Sequence, residues 1–344
     1  MNRPAAASVP ARPVRTGKPK GRKASLKRRA GEARRTASSY RRGEGRRSRR
    51  SRIAPPQPAE SVLPEEPAAR GYEEGYRDGV YAGGEGLLEA HLPPDLLIPN
   101  LTLDEVLAAG VEALRPRAIP LLSTAAVYEE AERMLKEKQP YALVRLGDGE
   151  LLTMAQDTVL PSDEVRRQGY FLAYAGVDAP DLRARDELAA SVRLASLVGV
   201  PQSRQPFFQP LLFAIWNAYG IRPETLKLTS STVNYSLHEQ GYLHRLMEGR
   251  RILVIGNVAR ELAQSLASQG VSIAGTVSPV RGMNDLHRVV EEAASYDFDL
   301  ALVSAGIAAV PICVHLVGRT GKAAIDFGHM ANRIAGVGPI GRRG

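Results

Sequence analysis

The spacing of apolar residues divides this chain into parts. Between about residues 95 and 332, short apolar runs alternate with stretches in which apolar side chains recur every three or four positions. The runs at 141–146, 226–229, 251–256, 271–277, 300–304 and 323–327 predict strands. The stretches at 185–197, 209–219, 258–269, 284–295 and 307–318 predict helices, and the interval 150–225 predicts two or three helices in all. Two more helices are expected ahead of these. One opens on Thr102-x-x-Glu105, the spacing of a capping box, and ends before Pro116; the other opens at Ser123 or Thr124 and runs to Pro140. The alternation predicts an α/β fold, a Rossmann-like and mostly parallel sheet with helices on both faces. Roughly 240 residues are enough for one such domain, bounded here at 95–332.

Upstream the pattern is lost. Residues 1–52 hold 19 Lys and Arg against 2 Asp and Glu, a net of +17; the whole chain nets +9, so the remainder carries −8. That split excludes a globally basic nucleic-acid binder and describes an acidic body with a basic N-terminal arm. The arm has almost no large apolar residues to offset chain entropy, so disorder is expected. Residues 53–94 form a Pro/Gly-rich linker. Within it Gly71, Gly75 and Gly79 recur in steps of four beside Tyr72 and Tyr76. On a helix these would make a glycine ridge beside a tyrosine ridge, suited to docking; otherwise the segment is a flexible connector. Residues 333–344 are expected to be a flexible tail, and the literal G-x-G-x-x-G at Gly336, Gly338 and Gly341 belongs to it, with neither a strand before it nor a helix after it.

The arm suits anionic lipid head groups, nucleic-acid phosphate or an acidic partner, or it stays solvated. Tyr40 is its one aromatic residue, which argues against sequence-specific RNA recognition. Residues 1–60 lack the apolar stretch of a secretory signal, and no run reaches the length of a membrane span. Cys313, the single cysteine, lies in an apolar stretch that favours core packing. A cytoplasmic protein is expected, with the arm allowing a peripheral place at the inner face of the membrane.

The candidate chemistry centres on Tyr141-Ala-Leu-Val-Arg-Leu-Gly-Asp-Gly-Glu150. The expected strand stops at Gly147. Two carboxylates follow, Asp148 and Glu150, each preceded by a glycine (Gly147, Gly149), with a helix expected from about residue 151. Ligands of open α/β sheets bind where strands end and helices begin. Carboxylates there suit a hard divalent cation, Mn²⁺ or Mg²⁺, that neutralises a diphosphate. They equally suit a plain helix N-terminus, whose dipole favours acidic residues. Asn234 and His238 follow the run at 226–229, while Asn257 and Ser278 follow two later runs. All would face one rim of a parallel sheet, as ligand contacts or as helix caps. Other motifs are missing. There is no P-loop at Gly318-Arg-Thr-Gly-Lys322, no G-x-S-x-G elbow and no Cys/His metal cluster.

Val144-Arg-Leu-Gly-Asp-Gly-Glu-Leu-Leu152 resembles the signature of glycosyltransferases with the GT-D fold, which carry Asp-x-Glu in place of Asp-x-Asp. Asp299-Leu-Ala-Leu-Val-Ser-Ala-Gly306 and Ala324-Ile-Asp-Phe-Gly-His329 resemble that family's closing strand–helix–strand unit. The resemblance covers about residues 120–332. It implies transfer of a sugar from a nucleotide-sugar donor, a UDP-sugar, to a hydroxyl on a glycan, glycoprotein or lipid-linked acceptor. Asp148 and Glu150 match the metal-binding pair, and Arg145 matches the basic residue before it, expected to orient the carboxylates or contact phosphate. Asp326 and His329 are the expected catalytic residues, for acceptor activation or donor positioning. The chain departs from the family after His329, at Met330-Ala-Asn-Arg-Ile-Ala335, where better-known members carry acidic and aromatic residues. Two further classes remain: a non-catalytic Rossmann-like nucleotide-binding module, and a polyanion-associated or nucleic-acid-associated protein acting through its arm.

Overall fold

The structure is a computed structural model and describes residues 67–338. The basic arm, most of the proline-rich stretch and residues 339–344 of the tail lie outside the described residues. The chain divides into two units at Gly83/Gly84. The described part of the first is one helix, Pro67–Gly83, in which Tyr72 and Tyr76 stack with ring centroids 6.4 Å apart.

The second unit holds a sheet of seven parallel strands: β1 (Tyr141–Arg145), β2 (Leu197–Val200), β3 (Leu228–Ser230), β4 (Arg251–Gly256), β5 (Ser272–Val277), β6 (Leu300–Ser304) and β7 (Ala323–Asp326). Their order is β3-β2-β1-β7-β6-β4-β5. Each crossover carries at least one helix, and the helices bury two apolar layers. One, containing Val144, Leu151, Trp216 and Cys313, covers one face of the sheet. The other, containing Leu143, Leu262, Leu302 and Phe327, covers the opposite face. Strand residues alternate between the layers, since successive side chains point to opposite faces. This is the Rossmann-like α/β architecture that the alternating pattern predicts.

Six strands fall on the expected runs, and β2 does not. Helix Leu182–Leu194 stops three residues earlier than its periodicity suggested, and Leu197–Val200 forms a fully buried strand. Only Ala195 and Ser196 separate the two, so their apolar residues merge into one pattern. Helix Leu103–Leu114 opens on the expected capping box: Thr102 Oγ1 accepts from Glu105 N–H at 3.2 Å, and the Glu105 carboxylate accepts from Thr102 N–H at 2.9 Å. Among the described residues no helix is long and apolar enough to cross a membrane.

Candidate functional site

Because all seven strands are parallel, their C-terminal ends share one rim. β1 ends at Arg145, and Leu146 N–H donates to Gly199 O at 2.8 Å, keeping the chain in the sheet one residue longer. The next helix begins at Asp148, three residues before the sequence suggested, so Asp148 and Glu150 both lie in its first turn. The motif caps itself. Gly147 N–H donates to Glu150 Oε2 at 2.8 Å, and Gly149 N–H donates to Asp148 Oδ1 at 3.0 Å. The carboxylates thus serve backbone donors that a helix start leaves unpaired. Asp148 keeps Oδ2 free of protein hydrogen bonds among the described residues.

Beneath this turn sits a buried ion pair. Asp326, the last residue of β7, is 4% exposed. Its Oδ2 accepts the main-chain N–H of Arg145 at 3.2 Å and its Oδ1 accepts Arg145 Nη2 at 2.9 Å. Arg145 also donates to the carbonyl of Asp326 at 3.0 Å, to Ser231 O at 3.1 Å and to Asn234 Oδ1 at 3.3 Å. Asn234 is buried and donates in turn to Phe327 O at 3.0 Å. Burial alone would lower the Arg145 pKa, and the adjacent Asp326 carboxylate more than reverses that. The guanidinium crosses directly over Gly328, whose φ of +53° and missing side chain leave it room; a Cβ there would overlap Arg145 Nη2.

The pair acts on Glu150. Burial pushes the Glu150 carboxyl up to about 7, and the negative charge of Asp326 adds to the rise. The Gly147 N–H and Arg145 oppose it and do not cancel it. A cation bound beside Glu150 would favour the ionised form that burial disfavours.

The remaining expected residues separate into two groups. Asn234 points inward and has both ends of its amide occupied by protein, so it positions Arg145 and does not face the rim. Asn257 and Ser278 lie just past β4 and β5 on the rim. Asn257 Oδ1 accepts Val280 N–H at 2.8 Å and so ties the two strand ends together. His329 is exposed just past Gly328. His238 lies in the last turn of helix Val233–Glu239. Gly149 is buried against Ile307 and Phe171.

Three contributors were not legible in the sequence. Ser231 enters through its carbonyl, which any residue supplies. Ser304 Oγ donates to Gly328 O at 2.8 Å and fixes the loop that carries His329. The segment 169–177 crosses the rim, with Gly176 O accepting Met283 N–H at 3.2 Å and Gly176 meeting Gly282 backbone to backbone. Gly328 was the available signal, since a glycine between Phe327 and His329 marks a close approach.

Among the described residues no three His, Cys, Asp or Glu side chains converge as a metal cluster. Mg²⁺ and ions like it need no such cage, because they take one or two carboxylates and draw their other ligands from water and phosphate. Of the two carboxylates, Asp148 has an unengaged oxygen, while Glu150 is turned back onto Gly147 N–H.

A family model described as a GT-D fold-like domain matches residues 122–334. Among solved structures, the chain is similar to a new glycosyltransferase, domain of unknown function 1792, from Streptococcus sanguinis. The two share 18% identity over 62% of this chain and 83% of that one, with a TM-score of 0.43. It is also similar to a domain of unknown function 1792 described as having a distinct glycosyltransferase fold, at 17% identity over 62% of this chain and 79% of that one, with a TM-score of 0.41. No curated protein matches the chain.

Proposed function

The chain belongs to the family of GT-D fold-like domains, and from that premise we propose that it is a metal-dependent glycosyltransferase. It would move a sugar from a nucleotide-sugar, a UDP-sugar, to a hydroxyl acceptor on a glycan, glycoprotein or lipid-linked molecule. One observation carries the reading. Asp148 and Glu150 occupy the first turn of the helix that follows β1, the strand whose last residue, Arg145, pairs with the buried Asp326. Asp148 and Glu150 would hold Mn²⁺ or Mg²⁺, and the ion would stabilise the charge that builds on the leaving diphosphate.

The residues of the chain divide the remaining work. The helix N-terminus at Asp148–Ala155 presents its dipole to the diphosphate, and the glycines on either side of Asp148 keep bulk away from it. Arg145 spends its donors on Asp326, Ser231 and Asn234, so it fixes the strand end that carries the carboxylates. Asp326 is held on both oxygens and supports acceptor activation through Arg145 and through its charge at Glu150. His329, exposed just past β7, would take the acceptor proton. Asn257 and Ser278 offer polar contacts for the donor at the neighbouring strand ends.

Calorimetric titration with UDP and Mn²⁺ tests the reading, comparing the parent protein with Asp148→Asn. Mn²⁺-dependent UDP binding that disappears in the variant supports it; equal binding in both proteins overturns it. For the arm we propose attraction to an anionic membrane, which would hold a cytoplasmic enzyme at its inner face. Each basic residue near such a surface contributes about 1 kcal/mol. Deleting 1–52 should abolish sedimentation with anionic liposomes, and retained sedimentation would refute the tether.

A further inference from the structure

An aromatic pair lies beside the carboxylate turn. Gly149 has no side chain, and a Cβ there would stand 3.6 Å from Phe171 Cε2, so the Phe171 ring rests on the first turn of helix Asp148–Ala155. Phe171 also packs against the apolar layer that contains Val144 and Leu151. The Tyr170 ring meets Phe171 edge to face, with centroids 5.8 Å apart and planes at 88°. Phe171 is half-buried, whereas Tyr170 is 85% exposed, more than any other aromatic side chain among the described residues.

The backbone that carries the two rings is pinned. Gly169 N–H donates to Val165 O at 2.7 Å, which ties the segment to helix Ser162–Gln168. At the other end Gly176 O accepts Met283 N–H at 3.2 Å, and a Cβ on Gly306 would stand 2.9 Å from Ala175 O. Gly282 and Gly306 follow β5 and β6, so the segment is anchored to two strand ends as well as to the turn after β1. A ring held in water on a fixed backbone is a ready surface, which a planar ligand covers at little cost in chain entropy.

Position decides the ligand. Met330 and Ala331, directly after His329, pack into the opposite apolar layer, the one that contains Leu143 and Phe327. Phe171 and the segment after His329 therefore lie towards opposite faces of the sheet, with the strand ends between them. A nucleotide-sugar held at Asp148 by its diphosphate has its sugar on one side of that diphosphate and its nucleoside on the other. With the reacting sugar towards His329, the nucleoside falls towards Tyr170. Nucleobases stack on aromatic side chains through their π-faces.

We propose that Tyr170 is the stacking platform for the uracil ring of the donor. The inference rests on the nucleotide-sugar reading of the same rim. Stacking needs the ring and not the hydroxyl, and it tolerates any base, so Tyr170 supplies nucleoside affinity and leaves the choice of base to other groups.

Calorimetry in the presence of Mn²⁺ tests it with two probes, UDP and inorganic pyrophosphate, on the parent, Tyr170→Ala and Tyr170→Phe. The position is exposed, so both variants should fold, as circular dichroism would verify. The expected result is a loss of about tenfold in UDP affinity for Tyr170→Ala, the scale of one base–aromatic stack. UDP affinity should persist in Tyr170→Phe, and pyrophosphate affinity in both variants. Equal UDP affinity in the parent and Tyr170→Ala overturns the platform and leaves the donor site standing. So does a loss of equal size for UDP and pyrophosphate, since the ring would then act on the diphosphate site. A loss in Tyr170→Phe as large as in Tyr170→Ala assigns the contact to the hydroxyl and overturns stacking. A parent that binds neither UDP nor pyrophosphate overturns the donor reading, and the platform falls with it.

Discussion

Arg145 holds Asp326 by both oxygens, the main-chain N–H reaching Oδ2 at 3.2 Å and the guanidinium reaching Oδ1 at 2.9 Å. One strand end thereby closes on another 181 residues away in sequence. Removing one member of a buried pair leaves the other uncompensated, at a cost of about 3–5 kcal/mol. Asp326→Ala should therefore lose stability on that scale in urea denaturation. A loss below about 1 kcal/mol would show that the pair is solvated and does not hold the site.

Asp148 makes one short-range hydrogen bond and lies at a helix start, where an acid contributes about 0.3–1 kcal/mol. Asp148→Asn should cost no more than that in stability. Its Mn²⁺-dependent affinity for UDP should fall at least about tenfold, equal to 1.4 kcal/mol. Loss of fold and loss of binding together would count against a ligand role.

Glu150 gives a pH signature. Its carboxyl is pushed from 4.5 to about 7 by burial first and by Asp326 second. The folded state therefore binds a proton that the unfolded state releases between these values, and stability falls as pH rises across that window. A rise to about 7 corresponds to about 3 kcal/mol when fully expressed. Glu150→Gln keeps an oxygen for Gly147 N–H and removes the charge. It should match the parent near pH 4 and exceed it in stability by about 1–3 kcal/mol at pH 8. If the two denaturation profiles run parallel from pH 4 to 8, the carboxylate is not penalised by burial.

His329 is exposed, so His329→Gln should leave the fold and the UDP affinity unchanged. A proton acceptor is worth about 10²–10⁴-fold in rate, and kcat should fall within that range once an acceptor is supplied. An unchanged kcat removes His329 from acceptor activation.

Gly328→Ala places a Cβ where the Arg145 guanidinium passes, at a positive φ. The expected cost is about 1–3 kcal/mol. Mn²⁺-dependent UDP binding should weaken with it, because Arg145 must shift. An alanine variant of parental stability would mean that the guanidinium has another path.

The sequence revealed the architecture more fully than the site. Six strands were legible because each is an apolar run set off by polar or glycine punctuation, as at Arg251–Gly256. β2 was hidden because Ala195 and Ser196 alone part it from a helix whose apolar residues continue into it. Asp148 and Glu150 stood out because glycines isolate them. The Arg145–Asp326 pair did not, since pairing across β1 and β7 depends on strand order, which no local pattern encodes. The inward turn of Asn234 was hidden for the same reason, because its partners Arg145 and Phe327 come from two other strand ends.

The strand order also governs how the molecule is born. β7 lies between β1 and β6, and these two pair with each other nowhere else in the sheet. While the chain emerges from the ribosome, β3-β2-β1 and β6-β4-β5 can each assemble, but as two half-sheets with bare inner edges. Exposed edges of this kind invite pairing with other chains. Each nascent molecule must carry them until Ala323–Asp326 arrives, and the same four residues deliver the carboxylate that Arg145 has been waiting for.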